Sequence, residues 1–420
     1  MPLPLAAANT MSRPEKLRLH VLWVLAALAV LATVCCPARG SDRATPLTVE
    51  DIVCRGNVTT SCQFIRGHLF LKAGAPLNEG EIRNAMLRLA WLPNFKSVAF
   101  HLEKGSQKGH VLVVIQVVEA DPIATAFSAG LSIRSGSQSA TLSGRIGDHN
   151  LFGAGKALDL ILVGEQPISG PVARESLARL EYTDPQLFGS SRNFLYAGAY
   201  HLDSVYRYAN GDSFLSDVSG LDVSVGQHFG RFSYFTVGYE FLPQSSFFSA
   251  TRKAGGGFGI HHDTPRNLLL LGYGWNSQDD PNFPTRGSRL SLYNDVGESL
   301  GDPFFGGSEF RRTWRSGPNS FLTLGLRIEP VRQDRASFEG DALLSLSYSR
   351  ELKLNGLLGG VSRGRWYVEP GITPADNSDN GHRLWEVGAK VGVRLQTRSF
   401  GLVNLYMIGT GLAQTGHRSH

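Results

Sequence analysis

The stretch "WEVGAKVGVRLQ" alternates without a break: Val387, Ala389, Val391, Val393 and Leu395 take every second place, with Glu386, Lys390 and Arg394 between them. A period of two sends successive side chains to opposite faces of a strand, so the two faces call for different solvents. The pattern returns in "SFLTLGLRIEP", where Leu322, Leu324, Leu326 and Ile328 oppose Thr323, Arg327 and Glu329. It returns again in "KALDLILVG", where Leu158, Leu160 and Leu162 oppose Asp159. Two architectures satisfy such a pattern. A soluble sandwich buries its apolar faces, whereas a membrane barrel turns them to lipid and keeps its polar faces inside.

Three further features favour the barrel. Charged residues make up only 18% of 420, sparse for a water-soluble protein of this length. Aromatic residues gather near strand ends, in "NLFG", "QLFG", "FSYFTVGYEFLP" and "LGYGW", where interfacial girdles need them. The chain also carries an export signal. The only long apolar run, "VLWVLAALAVLATV" at 21–34, follows Arg13, Lys16 and Arg18 and precedes "CCPARGS", which predicts a secretory signal peptide over residues 1–40. The run is short for a membrane anchor, which needs about 20 apolar residues. Removing it takes away four basic residues and one acidic residue, lowering the formal charge from +5 to about +2, so no nucleic-acid partner is expected.

From Pro122 onward the segments number about 15. A closed antiparallel barrel normally needs an even count, which gives an expectation of 16 strands, with 14 as the fallback. Residues 122–420 are therefore expected to form a transmembrane antiparallel β-barrel, making the chain mainly β.

The residues before it read differently. "TVEDIVCRGNVTT" is a strand closed by the turn signal Gly56-Asn57. Ser61 can cap a helix carrying Phe64, Ile65 and Leu69, ended by Gly74. Asn78, with Glu81 three residues on, can cap a second helix with the apolar stripe Ile82, Ala85, Met86 and Leu89. "KSVAFHLEK" and "HVLVVIQVVEA" then alternate as two strands around the polar turn "GSQKG". With Cys35 and Cys36 removed alongside the signal peptide, Cys54 and Cys62 are left as a pair in an exported chain. They are expected to form a local disulfide, two unpaired buried thiols being the alternative.

This β-α-α-β-β order, with "L..LPNFKSV" after the second helix and "V.I.VVEADP" at the end, resembles a POTRA (polypeptide-transport-associated) domain over residues 46–121. The blocks "GDHNLFGAGKALDL", "EYTDPQLFGSSRNFLYAGAY", "DDPNFPTRGSRLSL" and "LLGGVSRGRWY", and the closing "VGAKVGVRLQTRSFGLVNLYMIG", resemble the barrel of the bacterial surface antigen or outer-membrane assembly factor superfamily, whose members carry such domains. The resemblance implies a bacterial outer-membrane barrel with a periplasmic POTRA domain. It implies work on unfolded outer-membrane or secreted polypeptides, alongside outer-membrane lipids and possible periplasmic accessory proteins. A sheet edge on the domain, at the first strand or at "HVLVVIQVVEA", would bind extended segments through backbone hydrogen bonds. It also implies an inward-folded loop whose Val-Arg-Gly-aromatic motif sits inside the barrel. Here "GGVSRGRWY" supplies Arg363 and Gly364, with Ser362 and Arg365 departing from the motif, and Glu329 and Glu386 on inward faces are the expected ion partners. A passive pore or structural surface antigen is the alternative function.

Catalytic signals are weak. "GDSF" at 211–214 with "DNGH" at 379–382 mimics a lipolytic Ser-Asp-His set, but no strand-to-helix elbow exposes Ser213. "HHD" at 261–263 lacks a second ligand cluster, and "AGGGFG" at 254–259 lacks the strand and helix of a phosphate loop. The sequence thus predicts no enzyme, cofactor or metal.

Overall fold

Ser61 and Asn78 set where the two helices of the first module begin. Ser61 Oγ accepts from the Phe64 N–H at 3.2 Å and opens α1 (Cys62–Gly67). Asn78 Oδ1 accepts from the Glu81 N–H at 3.2 Å and opens α2 (Glu79–Ala90). Each satisfies a donor that the first helical turn leaves without a partner. The computed structural model describes residues 47–134, 137–169, 173–207, 213–229, 232–253, 256–263, 265–297, 305–331, 339–352, 361–375, 384–397 and 400–414. The expected signal peptide lies outside these residues.

The helices pack on a three-stranded sheet of β1 (Thr48–Arg55), β2 (Phe95–Lys104) and β3 (His110–Glu119), ordered β1-β3-β2. Val49, Ile52, Phe64, Ile65, Leu89, Val113 and Ile115 form its core. The α2 stripe is narrower than expected. Ala85 and Leu89 are fully buried and Ile82 packs beside them, but Met86 is 39% exposed. At 3.6 residues per turn, Met86 stands a quarter turn past Ala85 and off the line that faces the sheet. A disulfide joins Cys54 to Cys62, tying the end of β1 to the start of α1.

The strand order corrects one expectation. β3 is central, parallel to β1 and antiparallel to β2, so it offers no edge. The first half of β1 is covered too: the Val49 N–H donates to Ala75 O at 2.9 Å, and the Gly74 N–H donates to Val49 O at 2.7 Å. Among the described residues no strand pairs along the outer side of β2. The most apolar strand takes the middle because both its neighbours and the helices can then cover it.

The remaining strands follow in chain order: β4 (Ile123–Arg134), β5 (Ser137–Leu151), β6 (Lys156–Ser169), β7 (Ala173–Asp184), β8 (Asn193–Arg207), β9 (Ser213–Phe229), β10 (Ser233–Lys253) and β11 (Gly256–Asp263). They continue as β12 (Arg266–Asn276), β13 (Gly287–Gly297), β14 (Phe305–Gly317), β15 (Ser320–Val331), β16 (Glu339–Glu351), β17 (Val361–Ala375), β18 (Leu384–Thr397) and β19 (Leu402–Gln414). Each pairs antiparallel with the next, apart from β11 and β12. These two share one place in the ring, since residues 246–253 of β10 pair with β11 and residues 233–242 pair with β12. Pro265, which has no N–H to give a ladder, lies in the gap between them.

The closed barrel therefore has 15 strands among the described residues, not the expected 16. An even count is needed only when every neighbour is antiparallel. Here β19 closes on β4 in parallel, from Leu402↔Ala126 to Gly409↔Ile133, and that one pairing makes the odd number possible.

The barrel also resolves what alternation left open. On β6, Leu158, Leu160 and Leu162 are 40%, 41% and 50% exposed, while Asp159 between them is 1% exposed. Leu221, Val223 and Val225 on β9, Val387 and Val391 on β18, and Leu405 and Met407 on β19 likewise face outward. Polar partners meet inside: Arg145 donates to Asp159 at 2.6 and 2.8 Å, Arg179 to Asp222 at 2.8 and 3.0 Å, and the Tyr200 hydroxyl to Glu240 at 2.6 Å. An apolar belt outside and charge inside is the reverse of a sandwich.

Candidate functional site

The first module sits against the rim of the barrel from which β4 begins. Asn150, at the end of β5, donates to the hydroxyls of Thr59 and Thr60 at 3.2 and 3.1 Å. The Ser61 N–H donates to Gly153 O at 3.0 Å. Past β7, Gln186 Nε2 donates to Phe64 O at 2.6 Å and lies 3.0 Å from His68 Nδ1, and Ser191 Oγ donates to Gly67 O. Trp91, which ends α2, donates from its indole nitrogen to Gln278 O at 2.8 Å, and Asn94 donates to His149 O at 2.7 Å.

Two titratable groups belong to this junction. Burial holds His68 down at about 4, against the pull of the Phe64 carbonyl, and the positive charge of Arg88 pushes the same way. Burial pushes Glu119 up. It is outweighed by hydrogen bonds from the Thr59 and Thr60 N–H groups at 3.0 and 2.7 Å and from the Thr59 hydroxyl at 2.8 Å, which together hold the carboxyl at about 2. Glu119 thereby fixes the two threonines that meet Asn150.

The connection between β12 and β13, residues 277–286, is folded by its own aspartates. Asp279 Oδ1 accepts from the N–H groups of Thr285 and Arg286 at 2.8 and 3.2 Å, and Asp280 Oδ1 accepts from those of Asn282 and Phe283, both at 2.8 Å. That leaves Asp280 Oδ2 for Arg363, which donates to it at 2.8 Å and to Glu351 at 3.1 Å. Arg365 Nη1 donates to Pro284 O at 2.8 Å, and its guanidinium lies 4.1 Å from the Phe321 ring centre. Arg394 donates to Asn282 O at 2.8 Å. Phe283, only 3% exposed, sits under Arg363 with 4.7 Å between guanidinium and ring centre.

The strand order shows where this turn must go. β17 stands four places and β18 five places around the ring from β13. With neighbouring strands about 4.8 Å apart, the path along the wall to Arg394 is roughly 24 Å, so residues 277–286 reach it across the mouth instead. The module covers the side of the mouth from β5 to β12, and the turn crosses toward β17 and β18.

A model of the Omp85 superfamily domain matches residues 150–407. The chain belongs to the Omp85 superfamily. Solved structures with a similar fold include CdiB from Acinetobacter baumannii, at TM-score 0.53 and 11% identity over 84% of this chain and 68% of that one. CdiB from Escherichia coli follows at TM-score 0.51 and 10% identity, over 83% and 70%. BamA from Haemophilus ducreyi lacking POTRA domains 1-3 gives TM-score 0.45 and 13% identity, over 90% and 83%. No curated protein sequence matches the chain. An Omp85 barrel is a bacterial outer-membrane barrel, and the apolar belt is the face it turns to lipid.

Within this Omp85 barrel the motif expected on an inward loop is part of a strand. Arg363 and Gly364 lie in β17, paired with Gln396 and Leu395 of β18. Ladder bonds on β17 satisfy their backbone, and among the described residues it is the β12–β13 turn that reaches inward, residues 353–360 before the motif lying outside them. Arg363 finds its partners in Asp280 and Glu351; the side chains of Glu329, in β15, and Glu386, in β18, lie outside the described residues. Sequence reasoning missed Asp280, Glu351, Arg365 and Arg394. A signal for the first was present in "DDPNFPTRG", whose paired aspartates before Pro and Asn are typical of side-chain-closed turns. Ser213 opens β9, while residues 379–382 and the side chains of 261–263 lie outside the described residues.

Proposed function

We propose that this Omp85 protein inserts or translocates polypeptides at the outer membrane. Residues 46–121 act as a periplasmic POTRA domain that binds extended client segments along β2 and hands them to the barrel formed by residues 122–420. The observation that carries this reading is the outer edge of β2, left without a strand partner on a module pinned to the barrel rim. An unpaired edge offers a row of backbone N–H and C=O groups, which bind an added strand with little regard to its sequence. Support also comes from the seam, where β19 meets β4 in the only parallel pairing among the described barrel strands. Parallel ladders are slightly weaker per residue, and a client strand antiparallel to both would replace that seam with two antiparallel ones. Outer-membrane lipids and periplasmic accessory proteins are the other partners of this reading.

A photo-crosslinking residue at Ala99 or His101, both exposed on β2, tests it in the full-length protein. Unfolded outer-membrane strand peptides should crosslink there, and not at Leu112 on the central β3. If nothing crosslinks at β2, and deleting residues 47–121 leaves outer-membrane and secreted proteins at normal levels, the assembly reading fails. A passive pore, conducting ions without any client, would take its place.

A further inference from the structure

The inner face of the barrel sets like charges directly opposite one another at two places. Arg289 on β13 is the register partner of Arg311 on β14, and Arg365 on β17 is the register partner of Arg394 on β18. Directly paired residues share a face with their Cβ atoms about 5 Å apart, so each pair repels. The second pair is relieved in part, since Arg365 lies 3.5 Å from Glu351 and Arg394 donates to Asn282 O at 2.8 Å. The first pair has less relief. Arg311 meets Glu309 on its own strand, and Arg289 has no carboxylate partner among the described residues.

A further cation joins them. The Lys390 nitrogen, on β18, lies 4.0 Å from the centre of the Tyr406 ring. Its register partner is Glu369, but that carboxylate accepts from the Ser345 hydroxyl at 3.0 Å and makes no ion pair with Lys390 among the described residues. β14 and β18 stand four places apart in the ring, about 19 Å along the wall. The charge of Arg311 nevertheless acts on both Lys390 and Arg394. Their long side chains therefore converge across the lumen rather than along the wall.

Counting charges shows what this arc lacks. Arg289, Arg311, Lys390 and Arg394 face two carboxylates, Glu309 and Glu369, which leaves two positive charges over. The neighbouring Arg363 and Arg365 are balanced by Asp280 and Glu351, and across the barrel Asp159 and Asp222 are answered by Arg145 and Arg179. Among the described residues no side chain on this arc answers the surplus. A cavity lined by one sign of charge, with low-dielectric walls, focuses that field inward.

We infer that the lumen binds a phosphate dianion between β13–β14 and β18, as free phosphate or as a small soluble phosphate ester. Arg311 and Arg394 present planar forks suited to phosphate oxygens, Lys390 adds a point charge, and a dianion cancels the surplus of two. A single carboxylate would leave one charge over. Arg394 also holds Asn282 of the β12–β13 turn, so the anion binds beside the contact that keeps this turn across the mouth.

The experiment titrates inorganic phosphate into the full-length protein, folded in dodecyl maltoside micelles at fixed ionic strength in chloride, and follows the width of the phosphorus resonance. Saturable broadening is expected for the parent and for Lys108→Gln, whose side chain is exposed on the module. Lys390→Gln and Arg289→Gln should each bind roughly tenfold more weakly. Neither residue has a carboxylate partner to lose, so both proteins should fold and still shift on a gel between unheated and boiled samples. Glycerol phosphate should compete with inorganic phosphate in the parent. Phosphatidic acid added to the micelles should not, because a headgroup outside the wall does not reach the lumen. Unchanged binding in the two folded variants overturns the inference, and so does displacement by phosphatidic acid. Acetate competing as well as glycerol phosphate, a result read on the parent alone, overturns it too, since the site would then be one for carboxylates.

Discussion

Replacing Arg365 with methionine should release the turn that crosses the barrel mouth. Arg365 is 6% exposed, and it holds residues 277–286 through one good hydrogen bond, to Pro284 O at 2.8 Å, and a long one to Phe283 O at 3.4 Å. A charged donor on a carbonyl contributes about 1.5–3 kcal/mol; the stack on Phe321, which lies in β15, positions Arg365 and does not itself hold the turn. Methionine keeps an apolar stem against Phe321, so β15 and β17 stay packed. Removing a buried guanidinium whose Nε has no partner returns a part of the loss. The net loss is about 2 kcal/mol, which raises the population with the turn released by roughly thirtyfold. Arg363 and Arg394 remain, so the barrel should still fold and still shift on a gel between unheated and boiled samples. The assay is single-channel recording in planar bilayers, where time in the large-conductance level should rise by the same factor. Arg286→Met removes a side chain that is 83% exposed and should change nothing. If folded Arg365→Met protein conducts as the parent does, the turn does not close the mouth and the reasoning fails.

Acid should loosen the module before the barrel. The unfolded imidazole of His68 takes a proton below about 6.5 whereas the buried one resists until about 4, so its stabilisation is full above pH 6.5 and lost as pH falls through 4, about 3 kcal/mol in all. Limited proteolysis across that range should cut residues 47–121 while the barrel stays heat-modifiable, and His68→Gln should flatten the dependence. Glu119→Gln should weaken the hold on Thr59 and Thr60 by about 1–2 kcal/mol at neutral pH, read as a lower denaturation midpoint of the module. The parent's advantage is present above the unfolded carboxyl value of 4.5 and fades as pH falls toward 2. Changing Cys54 and Cys62 together to serine should cost the module about 2–3 kcal/mol, the loop-closure value for so short a loop, and identical denaturation midpoints would refute it. Cysteines at Ser128 and Asn404, a register pair across the seam, should crosslink under oxidation and block client insertion; normal insertion through a tied seam would exclude that route.

The alternation around Val387–Leu395 and Leu158–Leu162 was enough to announce long strands with two unlike faces, because side-chain direction follows from backbone period alone. Local chemistry likewise announced the helix caps at Ser61 and Asn78 and the nearness of Cys54 to Cys62. Such features depend on residues a few places apart. What the sequence left open depends on residues far apart. Whether Leu160 or Asp159 faces solvent was decided only when the ring closed. The strand count turned on a single parallel pairing between the two ends of the barrel, which no local pattern records. The apolar run of β3 suited it to the middle of the sheet, but that β1 and β2 would flank it, one parallel and one antiparallel, depended on which strands met it. Arg363 could be singled out by its motif, but its partners Asp280 and Glu351 lie 83 and 12 residues away. They meet because closing a barrel brings β17 opposite a turn whose own aspartates have already folded it inward, and only tertiary structure supplies that coincidence.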